Sequence, residues 1–80
     1  MSWGMMMEDT IEARVRSHID GAQVKVSGEG NRFEIQVTSS KFEGMSRVQR
    51  QQMVYEAIND LIRDGSVHAV TIRAATVGES

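Results

Sequence analysis

Two imidazoles, His18 and His68, are the side chains of this 80-residue chain best suited to bind a metal, and no cysteine accompanies them. The lack of cysteine removes any disulfide framework and any self-contained thiolate metal site. A neutral imidazole suits iron, zinc or copper. His68 falls at the rim of a strand beside a loop, where a ring nitrogen can project outward while its stem stays packed. One histidine cannot hold a metal alone, so a site at His68 needs a partner that brings thiolates; an ordinary edge histidine is the alternative reading. His18 lies on or near the apolar stripe of a helix, close to its C-terminus. A packed or edge histidine explains it there.

Other chemistry is thinly represented, and no enzymatic activity is expected. No spacing brings a nucleophile, a base and an orienting group together. Ser39-Ser40 beside Lys41 reads as a polar loop rather than a Ser/Lys pair. Glu8-Asp9 reads as helix-start charge rather than an acid/base couple. Lys41, Arg47 and Arg50 gather positive charge around a helix start whose amides also favour phosphate. With Gly44 they form a candidate nucleic-acid site. The turn Gly44-Met-Ser-Arg47 has the place of the GXXG loop of a KH module, with its second glycine replaced. Stacking residues are scarce: the chain has four aromatics, Trp3, Phe33, Phe42 and Tyr55.

These residues must be positioned by few elements. Met7, Ile11, Val15 and Ile19 recur every four residues and predict a helix over 8–19, closed by Asp20-Gly21. Gln23 to Ser27 alternates, with Val24 and Val26 on one face. Phe33 to Thr38 alternates again, with Phe33, Ile35 and Val37 inward. The turn Gly28-Glu-Gly-Asn31 joins the two runs into a hairpin, and its glycines are expected to supply positive φ. Ser46 followed by Gln49 is a capping-box signature, and Gly44 eases the turn before it. The second helix runs from there to about Arg63 and stops at Asp64-Gly65. Val48, Val54, Tyr55, Ile58, Leu61 and Ile62 make its apolar stripe. At about 100° per residue Arg47 and Gln51 fall inside that stripe, which would leave Gln51 in need of a buried partner. Val67 to Ala74 predicts a third strand, with His68, Val70, Ile72 and Ala74 on the core face and Val67, Ala69, Thr71 and Arg73 on the other. The order helix-strand-strand-helix-strand gives a two-layer α+β domain. Both helices cover one sheet face, a crossover brings in the last strand, and the other face is polar.

Composition agrees with one small folded domain. Hydrophobic residues make up 40% of the chain, and the net charge of −2 gives no global attraction to nucleic acid. No apolar run approaches the roughly 20 residues of a membrane span. The start, Met1 to Met7, lacks a basic region and runs into Glu8-Asp9, so no signal peptide is expected and the cytoplasm is the expected location.

Phe42-x-Gly44-x-Ser-Arg47-Val-x-Arg50-Gln-x-x-Val-Tyr55, followed by Val67-His68-Ala-Val-x-Ile, resembles the BolA family, and most of all its bacterial IbaG or YrbA branch. The hairpin pattern Val-x-Val-Ser-Gly-x-Gly at Val24 to Gly30 joins the resemblance, which covers about Ile11 to Ala74. It implies an α+β fold related to class II KH domains, with a BolA-like domain over 8–74 and tails over 1–7 and 75–80. It also implies partnership with a monothiol, CGFS-type glutaredoxin and a role in iron–sulfur cluster handling or iron homeostasis. Transcription regulation and DNA binding are attributed to some members; for this chain a part in stress response and weak DNA binding are the corresponding expectations. In the family a [2Fe-2S] cluster can be shared with the glutaredoxin and glutathione, the BolA side supplying the histidine of its last strand. By motif position that residue is His68. Many members add a Cys or His from the hairpin loop; Ser27 to Arg32 contains neither.

Overall fold

The computed structural model describes residues 6–30 and 32–78. The period-four run winds into α1 (Met7–His18), with Glu8 and Asp9 in its first turn and Arg16 and His18 in its last, each complementing the helix dipole. Ile11, Val15 and Ile19 are buried. Gly21, at φ +78°, turns the chain into the sheet.

The hairpin pairs β1 (Gln23–Glu29) with β2 (Arg32–Thr38) in antiparallel register, Val24 opposite Val37, Val26 opposite Ile35 and Gly28 opposite Phe33. Both strands are longer than the alternation alone indicates. Gly30 takes the left-handed conformation at φ +62°, as the turn requires, but Gly28 does not. It is a strand residue, and a Cβ there would stand 2.6 Å from Cδ1 and Cε1 of Phe33. The expectation that both glycines serve positive φ is therefore corrected: Gly28 makes room for the buried Phe33 ring.

A 3₁₀ turn (Ser40–Phe42) follows, and its Phe42 is fully buried. Then α2 (Arg47–Arg63) starts on the expected capping box. Gln49 N–H donates to Ser46 Oγ at 3.1 Å, and Ser46 N–H donates to Gln49 Oε1 at 2.9 Å. The strand β3 (Ala69–Ala75) returns parallel to β2, and the sheet order is β1-β2-β3. Both helices pack on one sheet face, as expected. The opposite face carries Gln23, Lys25, Gln36, Thr71 and Arg73 exposed, with Glu34 Oε2 accepting from Gln36 Nε2 at 3.0 Å and pairing with Arg73 Nε at 3.2 Å.

Two further expectations are corrected. Only part of the α2 stripe is core: Val54, Ala57, Ile58 and Leu61 are buried, whereas Val48 is 62% and Tyr55 40% exposed. Their flank of the helix leans over β3, an edge strand, and among the described residues no further strand lies beneath it. Arg47 and Gln51 share that exposed flank, so Gln51 needs no buried partner. Second, Val67 is buried and His68 exposed, the reverse of the faces assigned by alternation. Alternation has meaning only within a strand, and β3 begins at Ala69. The helix and strand run one residue past the expected domain edges, to Met7 and Ala75, and Thr76 is buried. Most of the expected N-terminal tail, residues 1–5 with Trp3, lies outside the described residues, as do residues 79–80.

Candidate functional site

The backbone around His68 is fixed on both sides. At the end of α2, Asp64 Oδ1 accepts from Ser66 N–H at 2.8 Å, and Gly65 turns the chain at φ +85°. Val67 N–H then donates to Leu61 O at 3.1 Å while its side chain is buried, and Ala69 enters register with Arg32. His68 is the one exposed residue between these anchors. Its imidazole leans over the turn, since a Cβ on Gly65 would stand 3.8 Å from His68 Nε2. Gly65 meets the demand of a positive φ, while a Cβ there would only touch the ring at ordinary contact distance. The hydrogen bonds from Ser66, first its side chain and then its backbone, hold the Asp64 carboxyl below the usual carboxylate range.

The hairpin turn lies at the same end of the sheet. Glu29 pairs with Arg32, and Arg32 pairs with Ala69, so the turn stands in the row next to His68. Among the described residues no group of three or more His, Cys, Asp or Glu side chains is placed to hold a metal. One exposed imidazole can offer at most one ligand, to a metal held mainly by another molecule.

The cations and Gly44 of the nucleic-acid reading are not gathered into one patch. Gly44 has the expected left-handed turn, φ +78°. Arg50 is half-buried, its Nε donating to Met45 O at 3.0 Å. Lys41 is exposed in the cleft that holds His18, Gln49 and Glu56. Arg47 lies across α2 from it, in the groove beside Ile72 and Ala75. The capping box also uses two of the four amides at the helix start. His18 is exposed at the α1 terminus, with Nε2 3.5 Å from Glu56 Oε1, an edge histidine in an interhelical pair.

Comparison with known proteins fits this geometry. Residues 7–79 match the family described as BolA-like protein. The chain belongs to the BolA-like family. Over 74 residues it is 39% identical to a protein of the rpoN-murA intergenic region of Acinetobacter guillouiae, covering 92% of this chain and 89% of that one. It is 36% identical over 74 residues to the acid stress protein IbaG of Escherichia coli K12, covering 92% and 88%. BolA1 from Arabidopsis thaliana has the same fold, with a TM-score of 0.83 at 20% identity over 96% of this chain and 99% of that one.

Within this BolA-like fold, sequence reasoning left Phe42 and Ala57 out of the core and Val67 on the wrong face. Phe42 is a lone aromatic in a three-residue turn, without a period to place it. Its one available signal was the apolar residue between Lys41 and Glu43. His68 was singled out by residue type and its place at a strand rim, and the family motif then favoured it as a ligand, because neither spacing nor composition surrounds it with other ligands.

Proposed function

We propose that this protein is a non-enzymatic BolA-like adaptor that binds a monothiol, CGFS-type glutaredoxin and contributes His68 to a [2Fe-2S] cluster shared with it. The observation that carries this reading is the presentation of His68: an exposed imidazole on a backbone pinned by buried Val67 and by the first pair of β3. Such a ring can meet a partner's metal without reordering the chain, which lowers the entropy cost of docking. When bound, the cluster would take two further donors, the glutaredoxin active-site thiolate and a glutathione thiol, as the family resemblance implies; its fourth position stays open, since Ser27 to Arg32 offers neither Cys nor His. The chain's own part is to offer one neutral nitrogen, to hold it in place and to shape the surface around it.

The cellular role in this reading is assembly or trafficking of iron–sulfur clusters, or iron homeostasis, in the cytoplasm. A relative named as an acid stress protein extends it to stress response. No helix among the described residues is long and apolar enough to cross a membrane. Mixing the purified protein with its organism's monothiol glutaredoxin, loaded with cluster and empty, tests the reading. A stable complex with a visible spectrum distinct from that of the glutaredoxin alone is expected. No complex in either state would sink it.

A further inference from the structure

Two hollows that share Gln51 and Ile72 lie between the exposed flank of α2 and β3 and form one groove, whose Arg47 end also reaches Gln36 to Thr38 of β2. Val48, Gln51 and Tyr55 form its helix wall, Val70 and Ile72 its floor, and Arg47 stands at the end next to Ala74 and Ala75. Three features coincide there. The outer edge of β3 is unpaired among the described residues, a ready template for another strand. Two of the four large apolar side chains exposed among the described residues, Val48 and Tyr55, overhang that edge. The groove is cationic in an acidic protein: no carboxylate lines it, and Arg47 is exposed. Arg73, the other cation there, is already paired with Glu34.

We propose that this groove takes up an extended, acidic segment of a partner protein as a fourth strand on β3. Main-chain hydrogen bonds to the free edge supply affinity, and alternate side chains supply selectivity. Residues directly opposite in a sheet share a face, so those opposite Val70 and Ile72 point to the helix side and lie against Tyr55 and Val48. The acidic residue meets Arg47 at the Ala75 end. With antiparallel addition, the more stable pairing, the segment reads acidic residue first, then two apolar residues at alternate positions. Arg47 presents a planar, permanently charged fork suited to a carboxylate. The proposal is independent of His68, which lies beyond the N-terminal end of β3.

The probe is a capped octapeptide, Gly-Glu-Thr-Val-Thr-Val-Thr-Gly, with a counterpart carrying Gln in place of Glu, titrated into the full chain without metal or glutaredoxin. Amide resonances of β3 and of the Arg47–Tyr55 flank are expected to shift, and alternate β3 amides to exchange more slowly with solvent. The acidic peptide is expected to bind up to about fivefold tighter than its Gln counterpart, and Arg47→Gln to abolish the difference. Val48→Ser with Tyr55→Ser, both exposed, is expected to weaken binding by about tenfold or more with an unchanged melting curve. Unshifted β3 resonances at millimolar peptide overturn the proposal, as does equal affinity for the two peptides. A dimer in sedimentation equilibrium that Val48→Ser dissociates gives the groove to a second copy instead. Tight, strongly salt-dependent oligonucleotide binding that shifts the same resonances gives it to nucleic acid. Each of these results leaves the cluster reading standing.

Discussion

Arg14 and Asp60 join the two helices through a 2.6 Å ion pair, one turn from the place where His18 faces Glu56. The steps 14 to 18 and 60 to 56 run in opposite directions, so α1 and α2 lie antiparallel with a polar pair at each turn beside the buried Val15–Ile58 layer. The hydrogen bond from Arg14 holds the Asp60 carboxyl below its ordinary value of 3.8, and the same bond raises Arg14.

Acid stability follows with a definite sign. Asp60 and Asp64 both have lowered folded-state values, so what they contribute is fully present above about pH 4 and is lost as pH falls through those lowered values. Arg14 stays charged throughout this range. Melting temperature measured between pH 2 and 6 at low salt is expected to fall less steeply on the acid side in Asp60→Asn than in the wild type. Added salt is expected to shrink the difference, because the pair is exposed. Identical acid limbs in the two proteins would remove Asp60 from the account.

Ile58 is fully buried and Leu61 nearly so, between α1 and the sheet. Truncation of either to Ala is expected to cost about 2–5 kcal/mol. That is a large share of the stability of a domain this small. Val48→Ala, on the exposed flank of the same helix, is expected to stay within about 0.5 kcal/mol. Urea unfolding of the three variants separates the two faces of α2, and equal losses at Val48 and Ile58 would contradict the packing.

The glycines of the hairpin are expected to answer differently to substitution. Gly28→Ala pushes a methyl into the Phe33 ring and is expected to cost about 1–3 kcal/mol. Gly30→Asn keeps the left-handed turn accessible and has open space around it, so only a small loss is expected. Thermal melts decide between them, and the reverse order would restore the simpler view that both glycines serve the turn.

The elements that could be read from the sequence are those whose signal is local and periodic. Ile11, Val15 and Ile19 needed only a helical repeat, and Ser46 with Gln49 needed only a three-residue spacing. What escaped depends on neighbours distant in the chain. Val48 and Tyr55 have the right phase for the core, yet the sheet ends at β3, and no pattern within α2 can report how many strands lie below it. Val67 is drawn inward by its bond to Leu61 before any strand exists to set an alternation. Gly28 answers to Phe33 across the hairpin. The candidate site was legible only as far as His68, through its residue type, its place at a strand rim and a family motif; its pinned backbone required the fold.

Nucleic-acid binding is the competing use of Lys41, Arg47 and Arg50, and their geometry makes an ordering of effects. Arg47 and Lys41 are exposed on opposite sides of α2, while Arg50 is half-buried and bonded to Met45 O. Any binding to duplex DNA is expected to be weak and strongly salt-dependent. Removing Arg47 or Lys41 should make the salt slope shallower by about one unit per lost phosphate contact. Nanomolar, sequence-specific binding that resists salt would place nucleic acid ahead of a protein partner.

His68 bears the strongest prediction. Replacing one thiolate of a glutaredoxin-bound cluster by imidazole changes both charge and donor softness, so the absorbance and circular dichroism of the mixed complex are expected to differ from those of the glutaredoxin homodimer. His68→Ala is expected to remove that difference while leaving measurable complex formation, because a stable protein interface must extend beyond one ring. His18→Ala is expected to keep it, since His18 stands at the helix pair beside Glu56. An imidazole must be deprotonated to bind, so the mixed spectrum is expected to fade on acidification, and more readily than in relatives with a second ligand in the hairpin loop. Gly65→Ala adds a test of presentation: it strains the positive φ of the turn that leads to His68, so it is expected to weaken the mixed complex with the ligand itself retained. A cluster spectrum that His68→Ala leaves unchanged would take His68 out of the site, and glutaredoxin binding would then have to be explained by the surface alone.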